Sequence, residues 1–139
     1  MRQSHLLLSV LLFLTPAVFA EQTPGMRSFG QCLADKGAVM YSATWCPACL
    51  GQLKEFDTSF AQRDMKDAVK MKAFPFVIDC TGISPARIRK SCLPKEASGV
   101  PMWTFKNTTP PNDDDGKPYS GGGFLLNDLA ELTGCTLPK

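Results

Sequence analysis

The sequence predicts an α/β fold, a central four-stranded mixed sheet flanked by helices. Short, nearly continuous apolar runs alternate with stretches of helical period. The first two of these runs bracket the longest helical stretch, as in a βαβ unit, and a polar turn separates the last two, as in an antiparallel hairpin. The 139 residues, 44% hydrophobic and 20% charged with a net charge of +2, suit one globular domain without strong charge bias.

Residues 25–36 (GMRSFGQCLADK) set Met26, Phe29 and Leu33 at helical spacing and run into Gly37, a helix stop. Residues 38–43 (AVMYSA) have the pattern of a buried strand. Residues 46–62 (CPACLGQLKEFDTSFAQ) put Leu50, Leu53, Phe56 and Phe60 on one stripe and predict a long helix, with Gly51 weakening its first turns. Residues 65–72 either extend that helix or form a second. Residues 76–80 (FVIDC) read as a second buried strand, with Pro75 tolerated at its entry because it donates nothing to the ladder. Pro85 opens a short helix to about Ser91, and residues 100–105 (VPMWTF) form a third strand despite Pro101. Residues 117–120 (KPYS) are a short fourth strand across the polar loop 107–116 (NTTPPNDDDG). Residues 124–133 close the fold as a helix with Leu125, Leu129 and Leu132 on one face, stopping at Gly134.

Ahead of this domain, Met1, Arg2 and His5 precede an apolar run over residues 6–14, a breaker at Pro16 and the sequence Val18-Phe19-Ala20, which fits a cleaved export signal. The apolar stretch 6–20 is shorter than the roughly 20 residues a membrane-spanning helix needs, which disfavours an uncleaved anchor. A signal peptide at residues 1–20, a single domain at residues 21–139 and an exported location, foremost the bacterial periplasm, are the expectation. The exported part keeps 14 basic and 13 acidic residues and no histidine. That balance leaves no footprint for nucleic acid or a membrane surface, and without histidine there are no Cys-His or Ser-His nucleophile pairs. What remains is cysteine chemistry. All six cysteines lie in this part, an even number that suggests disulfides.

Trp45-Cys46-Pro47-Ala48-Cys49 stands where the first strand hands over to the long helix. Unpaired backbone donors and the partial positive charge of a helix amino terminus favour a thiolate at Cys46, and Pro47 suits the first helical position. Cys49, three residues on, lies on the same helix face within reach of a disulfide. The chemistry this predicts is thiol-disulfide exchange, in which Cys46 carries a mixed disulfide and Cys49 resolves it. A zinc site lacks two further ligands, so neither metal nor other cofactor is expected. A second cluster, Gly99-Val100-Pro101-Met102-Trp103, sets a proline in an apolar strand. Either a cis peptide at a kink or a position at the strand's first residue accommodates it.

With these residues the chain resembles thioredoxin-fold disulfide oxidoreductases. Within them it is most similar to the small exported thioredoxin-like domains that partner, or are fused to, vitamin K epoxide reductase homologues. The resemblance rests on Phe29-Gly30-Gln31-Cys32-Leu33, residues 37–49 (GAVMYSATWCPAC), residues 76–80 ahead of Cys92, residues 99–103, Tyr119-Ser120-Gly121, and residues 129–135. It implies a thioredoxin-like fold and a cis Val100-Pro101 bond facing Cys46, with the Val100 backbone pairing to substrate and Trp45 and Met102 as an apolar rim. As partners it implies client proteins with cysteine thiols and a membrane vitamin K epoxide reductase-like or other quinone-linked redox protein. Three positions depart from the pattern. Ala48 stands where strongly oxidising relatives often carry histidine, which makes the disulfide a milder oxidant. Met40 replaces the buried acid of thioredoxin itself, leaving water, Glu55 or substrate to take the Cys49 proton. The stretch between Cys49 and Phe76 is long, and its portion 64–72 reads as an added helix acting on client or partner choice.

Cys80 with Cys92, and Cys32 with Cys135, are expected to be structural bridges, worth about 3 and just under 5 kcal/mol in chain entropy. A second redox relay at Cys80 and Cys92 is the sharper alternative. Asn107-Thr108-Thr109 matches a glycosylation acceptor, Asp113 to Asp115 reads as a solvated tip rather than a calcium loop, and Gly121 to Gly123 as a free turn rather than a phosphate cradle. The expected function is oxidation of client cysteines. A reductase or isomerase of the same fold is the nearest alternative, and a non-catalytic disulfide-stapled binding module stands behind it.

Overall fold

Thr23 and Gly37 bracket the first described element. In a computed structural model, which describes residues 23–94, 97–106 and 123–139, the Thr23 side chain accepts the Met26 N–H at 3.4 Å and Pro24 takes the first helical position. Gly37 turns the chain out at φ 77°, where a side chain is strained, and a Cβ there would lie 2.6 Å from the Lys106 Cβ. Between them runs α1, Pro24–Asp35, with Phe29, Gly30 and Leu33 buried.

The next run, β1 (Ala38–Ser42), buries Ala38, Met40 and Ser42 in alternation and occupies the middle of the sheet. On one side β2 (Val77–Asp79) pairs with it in parallel, Met40 opposite Val77 and Ser42 opposite Asp79. On the other, β3 (Met102–Phe105) pairs antiparallel, Ala38 opposite Phe105 and Tyr41 opposite Met102. The helix α2 (Pro47–Phe56) connects the two parallel strands, which gives the expected βαβ unit. The described sheet is thus mixed and three-stranded, in the order β2-β1-β3, and flanked by helices. The fourth strand expected at residues 117–120, the loop 107–116 with its acceptor triplet and acidic tip, and the export signal all lie outside the described residues.

Two stretches differ from expectation, residues 46–72 and β2. The α2 helix stops at Phe56 rather than continuing to residue 62. Asp57 turns extended, and its carboxylate accepts the Ser59 N–H at 2.9 Å and the Ser59 hydroxyl at 2.6 Å, an Asx turn that competes with the helical ladder. Phe60 still reaches the core, edge-on to Phe74 at 5.0 Å, from this turn instead of from a fourth helical rung. Residues 65–72 form neither a continuation nor one second helix. They divide into a 3-10 turn (Asp64–Lys66) and a single-turn helix, α3 (Ala68–Met71), capped by the Asp67 carboxylate. The second difference is β2, which was expected to be buried. Only its flanks Phe76 and Cys80 are buried, while Ile78 is 42% exposed, because no described strand covers its outer edge.

A run of aromatic contacts fills the space between sheet and helices. Phe76 stacks on Trp103 at 5.2 Å, Trp103 on Phe105 at 6.2 Å, and Phe105 meets Phe124 edge-on at 5.8 Å. Phe56 joins them at 4.7 Å from Phe76 and lies over Phe29 of α1 at 6.0 Å. A short α4 (Ile88–Ser91) follows the second strand. The last helix, α5 (Leu126–Thr133), buries Leu129 and ends at Gly134 with φ 70°. No helix among the described residues is long and apolar enough to cross a membrane.

Candidate active site at the head of α2

The parallel strand β1 delivers its carboxyl end to the amino end of α2, and the two cysteines sit at that joint. Cys46 is the N-cap of α2, with extended backbone (φ −98°, ψ 107°) and its N–H bound to the Ala43 carbonyl at 3.0 Å. Pro47 follows at the first helical position, where a backbone donor has no helical partner. The Cys46 Sγ takes the place usually filled by a serine or aspartate oxygen, accepting the Cys49 N–H at 3.1 Å. Once the sulfur is reduced, that donor and the positive end of a ten-residue helix are already aimed at it, so negative charge on Cys46 is favoured.

Cys46 and Cys49 form a disulfide with Cα atoms 5.3 Å apart. Cys46 is 4% exposed and Cys49 not at all, so only Cys46 offers surface to an incoming thiolate. Across the gap the Val100-Pro101 peptide bond is cis, which decides between the two readings of this proline, and the strand begins after it at Met102. The Val100 carbonyl oxygen stands 3.5 Å from the Cys46 Sγ, where a reduced thiol has an acceptor in reach. Val100 is half-buried, Pro101 is buried, and Trp45, beside the reactive sulfur, is 38% exposed.

Cys46, Cys49 and Val100 are thus brought together. Met102, expected on an apolar rim with Trp45, is about as buried as Cys46, at 5% exposure as the first residue of β3, so Trp45 supplies more of the exposed apolar surface there. The remaining cysteines pair as Cys80–Cys92, with Cα atoms 5.9 Å apart, and Cys32–Cys135, at 6.0 Å, the latter tying α1 to the end of the chain after α5. Met40 is fully buried in β1 and Glu55 is exposed on α2.

One residue of this region escaped the sequence reading. Gln52, one turn after Cys49, is buried, and its amide makes two bonds to a single residue 72 positions away. Its Nε2 donates to the Phe124 carbonyl at 2.9 Å, and its Oε1 accepts the Phe124 N–H at 2.6 Å. The side chain thereby stands in for a strand partner and fastens the approach to α5 against α2, next to the buried cysteine. The available signal was its phase: position 52 shares a helix face with Cys49 and Phe56, where an unpaired amide is costly.

No protein-family model matches the chain, and neither curated proteins nor solved structures contain a significant match to it.

Proposed function

We propose that the chain is an exported thiol-disulfide oxidoreductase with a thioredoxin-like fold that oxidises cysteine pairs in client proteins through Cys46 and Cys49. The observation that carries this reading is the Cys46 sulfur serving as N-cap of α2, bonded to Cys49 and accepting the Cys49 N–H at 3.1 Å. A purely stapling disulfide has no use for that placement.

In the proposed cycle a client thiolate attacks the Cys46 Sγ, and the Cys46–Cys49 bond breaks as a client–Cys46 disulfide forms. Cys49 leaves as a thiolate and takes a proton from water. A second client thiolate then attacks the client sulfur of the mixed disulfide and expels the Cys46 thiolate, which the helix end stabilises. The client gives up two electrons and two thiol protons, and the protein is left with two reduced cysteines. A quinone-linked membrane protein of the vitamin K epoxide reductase kind, the partner implied by the resemblance, takes these electrons. Val100 offers its backbone to the client and Trp45 an apolar contact, with Pro101 shaping the groove between them. Cys80–Cys92 and Cys32–Cys135 hold the scaffold.

Equilibration against graded glutathione buffers, with the Cys46–Cys49 state read by mass, tests the direction. A midpoint between about −120 and −180 mV supports an oxidant or isomerase, and one near −270 mV makes the protein a reductase. A disulfide that stays closed throughout the series makes it a stapled binding module.

A further inference from the structure

Between the 3-10 turn and α3 on one side and the outer edge of β2 on the other lies an open cleft of about 680 Å³. Met65, Met71, Phe74 and Val77 line it with apolar surface, and Thr44, two residues before Cys46, stands at one end. Consecutive Cα atoms are about 3.8 Å apart, so the reactive cysteine is within about 7.6 Å of that end. Thr44 is fixed by two bonds: the Gln62 amide, just ahead of the 3-10 turn, donates to the Thr44 carbonyl, and the Thr44 N–H donates to the Thr81 hydroxyl of the cleft at 3.0 Å.

The backbone of β2 completes the picture. Met40 donates to the Phe76 carbonyl at 2.8 Å and Cys80 to the Ser42 carbonyl at 2.7 Å, so these alternate residues of the second strand face β1. By the alternation of a parallel ladder, the carbonyl of Val77 and the N–H and carbonyl of Asp79 face away from it, along a wall of the cleft. Charge selects the occupant. Lys66 and Lys72 line the cleft, exposed and in no ion pair among the described residues, whereas Lys70 is held by Asp64 at 2.5 Å. Asp79, the only acidic lining residue among the described residues, is already engaged by the Thr81 N–H at 2.8 Å and by the Thr81 hydroxyl.

We propose that this cleft receives an extended client segment of alternating apolar and acidic residues as a strand added to the edge of β2 that no described strand covers. The segment flanks the client cysteine presented to Cys46. The apolar side chains pack on the half-buried Met71 and Val77, the acidic ones meet Lys66 and Lys72, and the backbone pairs with Val77 and Asp79. Two or three further extended residues carry the client from the Thr44 end of the cleft to the disulfide. The inference rests on the oxidoreductase reading for the client's cysteine, though not for the binding itself.

The test uses a fluorescent hexapeptide of alternating valine and glutamate without cysteine, its valine–lysine counterpart, and the glutamate peptide N-methylated at alternate bonds. Anisotropy is measured on the oxidised protein and on the Lys66→Glu/Lys72→Glu variant. The glutamate peptide should bind more tightly than the lysine peptide, lose roughly fivefold or more in affinity on the double variant, and lose binding on N-methylation. Equal affinity for both peptides, or no change on the double variant, overturns the charge selection; undiminished binding of the N-methylated peptide overturns strand addition. A wild-type dimer in sedimentation that the double variant abolishes assigns the edge to a second copy and likewise overturns the proposal. A cysteine placed three residues beyond the glutamate peptide separates the two readings. Binding without exchange sinks the oxidoreductase reading alone, and exchange at equal rates on wild type and double variant sinks the cleft alone.

Discussion

Replacing Gln52 by leucine keeps the side chain's bulk in α2 and removes its two bonds to Phe124. Those bonds, at 2.9 and 2.6 Å, lie in a buried setting and connect positions 72 apart, so local helix structure cannot compensate for them. At about 0.5–1.5 kcal/mol net for each hydrogen bond, Gln52→Leu should cost about 1–3 kcal/mol, roughly a five- to 150-fold shift toward the unfolded state. The measurement is urea unfolding with all disulfides oxidised, followed by far- and near-ultraviolet circular dichroism, where the midpoint should fall at unchanged slope. The Gln52→Glu variant sharpens the test through its pH dependence. A carboxylate there accepts from the Phe124 N–H but has no proton for the carbonyl, whereas the protonated acid serves both, so its folded pKa is raised. The stabilising contribution is then present at low pH and lost as the pH rises through that raised value. Gln52→Leu within about 0.5 kcal/mol of wild type, or Gln52→Glu with a flat pH profile relative to wild type, would refute the argument.

Other perturbations follow from single contacts. The Lys70 ammonium, and then the Ala61 N–H at 2.8 Å, hold the Asp64 carboxyl below its ordinary value. The stability it contributes is therefore present above about pH 4 and lost as the pH falls through the depressed value, and Asp64→Asn should remove that part of the acid unfolding curve. Replacing Cys80 and Cys92 together by serine should lower stability by about 3 kcal/mol in thermal unfolding and leave the rate of exchange with a client thiol intact; loss of exchange would point to a redox relay instead. Gly37→Ala, at φ 77° and 2.6 Å from the Lys106 Cβ, should cost more than about 1 kcal/mol in the same unfolding assay.

How much of this was legible in the sequence depended on how local the cause was. The extent of α1 is set by neighbours along the chain, the apolar positions Met26, Phe29 and Leu33 and the stop at Gly37, and it was read within a residue at each end. The end of α2 is local too, but the periodic Phe60 outweighed the weaker signal of Asp57 and Ser59, whose side chains close a turn instead. Exposure of β2 was out of reach, because an apolar run such as Phe76-Val77-Ile78 is the same in a central strand and at an edge, and only the strand order separates the two. The same limit applied to Met102, whose type suited rim and core alike. At the candidate site the cysteine pair and its place at a helix head could be read from spacing and adjacency alone. The partner of Gln52, brought in by the chain's return 72 residues later, could not.

The exchange chemistry itself stands or falls at one sulfur. The Cys49→Ser variant, reduced and then mixed with a peptide carrying an activated disulfide, should accumulate a covalent adduct that peptide mapping places on Cys46, at mildly acidic pH where ordinary thiols react slowly. Absence of the adduct at Cys46, or its formation no faster than on an unstructured cysteine peptide, would contradict the account.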